Sequence, residues 1–152
     1  MKVLSEQVLP GSQQLDINEF TLPQGIVGFP NFTQATLVSH QEQAPFWMKL
    51  KGPQGSVSFV VVEPKSVIPD YEPELFENDA LALGLSDASE ALVLNILTMR
   101  PGARAEATIN LVGPIVVNRR TRVGRQLVIA NYSQYRARQP LASEANTAAA
   151  SA

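Results

Sequence analysis

Phe46-Trp47-Met48-Lys49-Leu50, Gly52-Pro53-Gln54-Gly55 and Val57-Ser58-Phe59-Val60-Val61-Val62 follow one another closely, and their reading decides the fold class. Two β-branched and aromatic runs on either side of a Pro/Gly tetrapeptide predict a hairpin, because Pro presets one turn angle and Gly permits the others. Within Phe59–Val62 neither alternate position is polar, so both faces of that strand need burial and the strand is expected to be central. Outward from this hairpin the pattern repeats, at Phe20–Leu22 and Thr36–Ser39 before it and at Leu92–Thr98 and Ala107–Val112 after it. Ile115–Val117 and Gln126–Ala130 are predicted to pair around an Arg-rich loop, Asn118–Gly124, with Arg125 at its exit. Helix is confined to one or two turns at Asn78–Gly84, where Asn78 or Asp79 offers a cap and Gly84 a stop. Pro23–Pro30 is expected to be an ordered loop. Glu63–Glu74, broken by Pro64, Pro69 and Pro73, should run as an extended surface connection, and Pro101-Gly102 as a turn. The chain is therefore all-β.

Its 152 residues and 16.5 kDa suit one domain, assigned to residues 1–141. Residues 142–152 are Ala, Ser, Thr and Asn with one Glu, too little apolar bulk to offset ordering entropy, and are expected to be a disordered tail. The absence of Cys excludes disulfides, thiolate metal sites and cysteine nucleophiles. His40 is the only histidine, so a two-histidine metal site cannot be built; it follows Ser39 on a strand, where alternation sends the two side chains to opposite faces. No catalytic residue, metal or cofactor is assigned, and an enzyme centred on His40 is the weakest of the functional classes. Apolar runs fall well short of the roughly 20 residues a membrane helix needs, so a soluble, unexported chain is expected.

Net charge is −2, which removes a global electrostatic mechanism, yet the charges are segregated. Residues 1–98 carry four Lys against twelve carboxylates, a net of −8, and residues 99–152 carry eight Arg against two, a net of +6. Asp70, Glu72, Glu74, Glu77 and Asp79 crowd one segment without the ligand alternation or central glycine of a calcium loop. That segment reads equally as a solvated acidic connection or, with Tyr71, Leu75 and Phe76 as apolar anchors, as a surface for a basic protein. At the other pole Arg119, Arg120, Arg122 and Arg125 could contact phosphates, with Tyr132 and Tyr135 available for stacking, which leaves an RNA-binding β module as the alternative reading.

The order of segments carries more. Phe20, Gln24-Gly25-Ile26-Val27-Gly28-Phe29, Ala44-Pro45-Phe46 and Pro69-Asp70-Tyr71 come first. Asn110-Leu111-Val112-Gly113-Pro114-Ile115-Val116-Val117-Asn118 and Gly124-Arg125-Gln126-Leu127-Val128 follow, and the series ends at Tyr132–Leu141. In this order the segments resemble the flagellar assembly factor FliW family over roughly residues 4 to 141. Gly113 stands where that family commonly has Ala, and Ile26-Val27 replace its more usual Leu-Pro. The resemblance implies a small single-domain, antiparallel β-barrel-like, non-enzymatic protein of the cytoplasm with a chaperone-like role. Such a protein binds flagellin and the RNA-binding translational regulator CsrA in competition, so that free flagellin captures it, CsrA is released to repress flagellin translation, and flagellin export reverses the balance. For CsrA, the acidic segment around Asp70, Glu72, Glu74 and Glu77, with Tyr71 among them, is the expected contact. For flagellin, whose ends are amphipathic, it is an apolar patch of Phe29, Phe32, Phe46 and Trp47. Asn110, Asn118, Arg119, Arg120 and Arg122 complete the candidate partner-binding residues; no membrane or direct nucleic-acid contact is expected.

Overall fold

The computed structural model describes residues 1–4, 17–39, 47–54, 57–99 and 107–141. His40, Phe46, the Pro101-Gly102 turn and the tail from residue 142 lie outside them. Among the described residues the chain runs β1 (Glu19–Thr21), β2 (Gln34–Ser39), β3 (Trp47–Lys51), β4 (Ser58–Val62), α1 (Glu77–Ala82), β5 (Ala91–Met99), β6 (Ala107–Ile109), β7 (Ile115–Asn118), β8 (Val123–Gln126) and β9 (Gln139–Pro140). The expected β3–β4 hairpin is present, with Leu50 opposite Phe59 and Met48 opposite Val61.

Seven strands close on themselves in the order β1-β2-β3-β4-β5-β7-β8, making a barrel, while β6 and β9 extend from the far half of β5. All pairings are antiparallel except the one that closes the ring, where Thr21 of β1 lies beside Val123 of β8 in parallel. A single ladder position suffices there, with the Thr21 N–H donating to the Arg122 carbonyl at 3.0 Å.

Two cores explain why the central strands are apolar on both faces. Along β5, Leu92, Leu94 and Ile96 point into the barrel against Phe20, Leu37, Leu50, Val61 and Ile115. The alternate residues Ala91, Val93 and Leu97 belong to an outer core with Val62, Tyr71, Leu75, Leu83, Ile129 and Leu141. β4 and β7 alternate the same way, Val61 and Val117 inward, Val62 and Val116 outward. The period of two thus divides the buried apolar side chains of these strands between the two hydrophobic layers.

Four of the expected boundaries are corrected. Glu63–Glu74 is not a surface connection: it contains a 3₁₀ turn at Pro64–Ser66 and buries Tyr71, with Leu75 just beyond, over the outward face of the barrel. α1 begins at Glu77, with Phe76 at the cap position and no side-chain cap bond. Its stop is as expected, since Gly84 adopts φ +70° and the N–H groups of Gly84 and Leu85 return to the carbonyls of Leu81 and Ala80, the double bond of a Schellman ending. β6 stops at Ile109 because the Asn110 carboxamide takes over, its Oδ1 accepting from the N–H groups of Val112 and Gly113 at 3.0 and 2.9 Å. Likewise the Arg loop is shorter than Asn118–Gly124, since Val123–Gln126 is already strand and Leu127–Ala130 leaves the ladder. Gly124 makes that strand possible: a Cβ there would lie 2.7 Å from Val117 Cγ2.

Candidate partner-binding surface

The acidic segment is held by its backbone and presents its carboxylates. Tyr71 donates its hydroxyl to the Leu111 carbonyl at 2.6 Å, receives a longer bond from Asn95 Nδ2 at 3.4 Å, and packs edge-on against Tyr135 with ring centres 4.9 Å apart. Burial pushes the Tyr71 phenol well above its ordinary pKa, more than the Asn95 bond lowers it, so it acts as a neutral donor. Asn131 clamps the next residues, its Nδ2 donating to the Glu72 carbonyl and its Oδ1 accepting from the Glu74 N–H, both at 2.9 Å. The Glu72 N–H donates to the Tyr135 hydroxyl, and the N-terminal residues flank the other side, where Leu75 and Met1 exchange backbone bonds. From this frame Asp70, Glu72 and Glu77 project into solvent, with Glu74 half-buried between them. Tyr71, expected as an exposed anchor, is fully buried and works from beneath; Phe76 and Leu81 are the exposed apolar residues beside the carboxylates.

The basic loop is not a separate pole. Arg125 Nη1 approaches Asp79 Oδ1 at 3.6 Å and Arg120 Nε approaches Glu90 Oε2 at 3.7 Å. Arg120 Nη2 also donates to the Gly84 carbonyl at 3.3 Å, and the Arg119 N–H to the Glu90 carbonyl at 2.8 Å. Arg120 and Arg125 are therefore drawn against α1 and the segment after it, and the segregation seen along the chain is partly neutralised in space. Asn118, a candidate contact residue, is wholly buried. Its Nδ2 donates to the Leu83 carbonyl at 2.7 Å and its Oδ1 accepts from Arg120 and Thr121, so it ties the loop to the end of α1. Arg122 is exposed and takes φ 60°, a left-handed conformation that costs a non-glycine residue about 1 kcal/mol.

The proposed apolar patch divides. Phe32 is in the inner core, Trp47 is half-buried against the outer core, and Phe29 remains at the surface. Phe29 and Phe32 meet across Phe59, each edge-on, at 5.2 and 5.1 Å. The Asn110 side chain, like that of Asn118, serves the backbone. At Gly113 a Cβ would sit 3.3 Å from Asn110 Nδ2, so an alanine fits with a shift of that amide. Tyr135, read as a ring available for stacking, instead accepts from the Glu72 amide, and Glu90, Asn95 and Asn131 were not legible as functional residues. Asn95 alone gave a signal, a carboxamide inside the apolar run Leu92–Thr98 that must find a buried partner.

Compared with known proteins, residues 8–141 match the family model described as FliW protein. The chain belongs to the FliW family. It is 30% identical over 152 residues to the flagellar assembly factor FliW of Natranaerobius thermophilus, covering 98% of this chain and 97% of that one. The FliW of Thermotoga neapolitana is 37% identical over 112 residues, 74% of this chain and 75% of its own. A crystal structure of the flagellar assembly factor FliW superposes with a TM-score of 0.72 at 27% identity, over 85% of this chain and 89% of that chain. The barrel is thus the FliW fold, and the chain is a flagellar assembly factor. Among the described residues no helix is long and apolar enough to cross a membrane.

Proposed function

We propose that this FliW-family chain works in the cytoplasm as a non-enzymatic exchange factor, binding flagellin and the translational regulator CsrA in turn. Occupancy by one partner removes the chain from the pool open to the other, so their ratio sets the amount of free CsrA by mass action, with no covalent step. The observation that carries the reading is the acidic segment. Its backbone is fixed by Tyr71, Asn131 and Tyr135 while Asp70, Glu72 and Glu77 face solvent, a pre-ordered surface for a basic protein. A role as an RNA-binding module is less well supported, because Arg120 and Arg125 are engaged by Glu90 and Asp79.

Calorimetry with purified flagellin and purified CsrA tests the reading. Both should bind, and prior saturation with flagellin should abolish the CsrA signal. The double variant Glu72→Lys, Glu74→Lys should weaken CsrA at least tenfold, about 1.4 kcal/mol. Undiminished CsrA affinity in that variant moves the contact elsewhere, and simultaneous binding of both partners ends the exchange mechanism.

A further inference from the structure

The turn between β1 and β2 presents an apolar residue more fully than any other part of the described surface, with Val27 80% and Phe29 40% exposed. It is also rigid. Phe29 N–H donates to the Ile26 carbonyl at 2.6 Å and Ile26 N–H to the Phe29 carbonyl at 3.1 Å, closing a turn whose third residue, Gly28, has φ +85°. Gly25, with φ +71°, lies so close beneath that a Cβ would meet the Phe29 carbonyl oxygen at 2.6 Å. Ile26 roots the turn in the inner core, and Phe29 leans edge-on against Phe59.

One long-range contact locks the tip. Gln126 on β8 accepts from the Val27 N–H at 2.9 Å through Oε1 and donates through Nε2 to the Gly113 carbonyl at 3.0 Å. A single carboxamide therefore joins the turn, the end of β8 and the Asn110 turn, just past the place where the barrel closes through one parallel ladder position.

We propose that this tip docks the apolar face of an amphipathic helix, with Val27 and Phe29 as anchors and Gln126 as the positioning residue. The assignment rests on the flagellin-binding reading above and names the surface that flagellin's amphipathic end would use. Two observations select the occupant. No charged residue stands between Leu22 and Thr33, so a partner that buried a charge here would lose its hydration without gaining a counter-charge. Most of the turn's donors are also occupied: Leu22, Gly25, Ile26, Val27, Phe29, Phe32 and Thr33 have acceptors within the chain and Pro23 and Pro30 have none to give, so no two successive alternate positions, as a strand ladder needs, are both open. An added strand would find no ladder to join. A helix, whose backbone bonds are internal, meets the tip through side chains alone. Pre-ordering by Gln126 spares the entropy of fixing the loop at the moment of binding.

The test is calorimetry of purified flagellin and purified CsrA against wild type, Val27→Glu, Val27→Thr, Val27→Ile and Gln126→Ala. At its exposure Val27 can be replaced without touching the core, and an unchanged thermal melt checks this. Val27→Glu should weaken flagellin at least tenfold, Val27→Thr less, and Val27→Ile not at all, while CsrA affinity stays within twofold for all three. Gln126→Ala should weaken flagellin by a smaller factor and speed hydrogen exchange at the Val27 amide. Wild-type flagellin affinity in Val27→Glu overturns the docking assignment alone. Absence of flagellin binding by the wild-type chain overturns the exchange reading, and the assignment with it. Equal losses for flagellin and CsrA overturn the separation of the two surfaces and hence the assignment.

Discussion

The two faces of β5 are buried by different means. Inward, Leu92, Leu94 and Ile96 meet apolar side chains of the other strands of the ring. Outward, Ala91, Val93 and Leu97 meet segments that are mostly not strand, and between them lies Asn95, buried, with its Nδ2 bonded to the Asn110 carbonyl at 2.8 Å and its Oδ1 without a hydrogen-bond partner. The inner layer is regular and nondirectional. The outer layer is fastened at particular atoms, and those fastenings are what hold the acidic segment in place. The contrast teaches that the barrel and the surface it presents can be perturbed separately, although they share a strand.

The largest effect should come from the inner layer. Leu94→Ala removes a fully buried side chain shared by the ring strands and should cost about 2–5 kcal/mol in chemical denaturation. Because the outer layer is built on the outward faces of the same strands, amide exchange should rise in both layers together. A loss confined to the inner strands would break the dependence of the outer layer on the inner one.

Tyr71→Phe tests the reverse. It leaves the Leu111 carbonyl without its hydroxyl donor inside the outer core, which should cost about 1–3 kcal/mol. Here the response should be local: faster exchange at the amides of Glu72, Glu74 and Leu75, with those of β2 and β3 still protected. CsrA affinity should fall with that loss of order even though no carboxylate has changed. Uniform loss of protection across the barrel would mean that the two layers unfold as one unit.

How much of this was legible in the sequence follows the same division. The inner layer depends on alternation, a local property, so the β3–β4 hairpin, the centrality of Phe59–Val62 and the run ending at Thr98 could be read directly. The outer layer depends on contacts between distant residues, such as Tyr71 with Leu111 and Asn131 with Glu72, for which a single sequence carries no period. Three prolines excluded an α-helix from Glu63–Glu74 but not the 3₁₀ turn at Pro64–Ser66, and nothing local told that Tyr71 would turn inward. Val62, Val93 and Val116 were the indirect signal: apolar residues on the second face of strands need a cover, and this long non-strand segment, with Val67, Ile68 and Tyr71, is one that can supply it. The candidate surface divides in the same manner. The carboxylates of Asp70 and Glu72 are exposed as composition suggested, whereas Phe32 and Asn118 are buried, because an aromatic or carboxamide in a loop looks the same in sequence whether it faces a partner or its own core.

The smallest effect sharpens the comparison at the rim of the outer layer. Ser86 donates to Glu90 Oε1 through its N–H at 2.8 Å and its hydroxyl at 3.0 Å, and these bonds hold the Glu90 carboxyl below the ordinary carboxylate pKa, with Arg120 contributing less. Since the folded value is the lower one, the stabilisation is present above the unfolded pKa and is lost as pH falls through the folded value. In a carbon-detected NMR titration of the side-chain carboxyl, Ser86→Ala should raise the Glu90 midpoint, and Arg120→Ala should raise it by less. Added salt should reduce the Arg120 part and leave the Ser86 part, because screening acts on the exposed ion pair and not on short hydrogen bonds. A larger shift from Arg120→Ala than from Ser86→Ala would make the basic loop, not the local turn, what orients Glu90. The outer layer would then be tied at its rim by charge, where its interior is tied by the neutral hydroxyl of Tyr71.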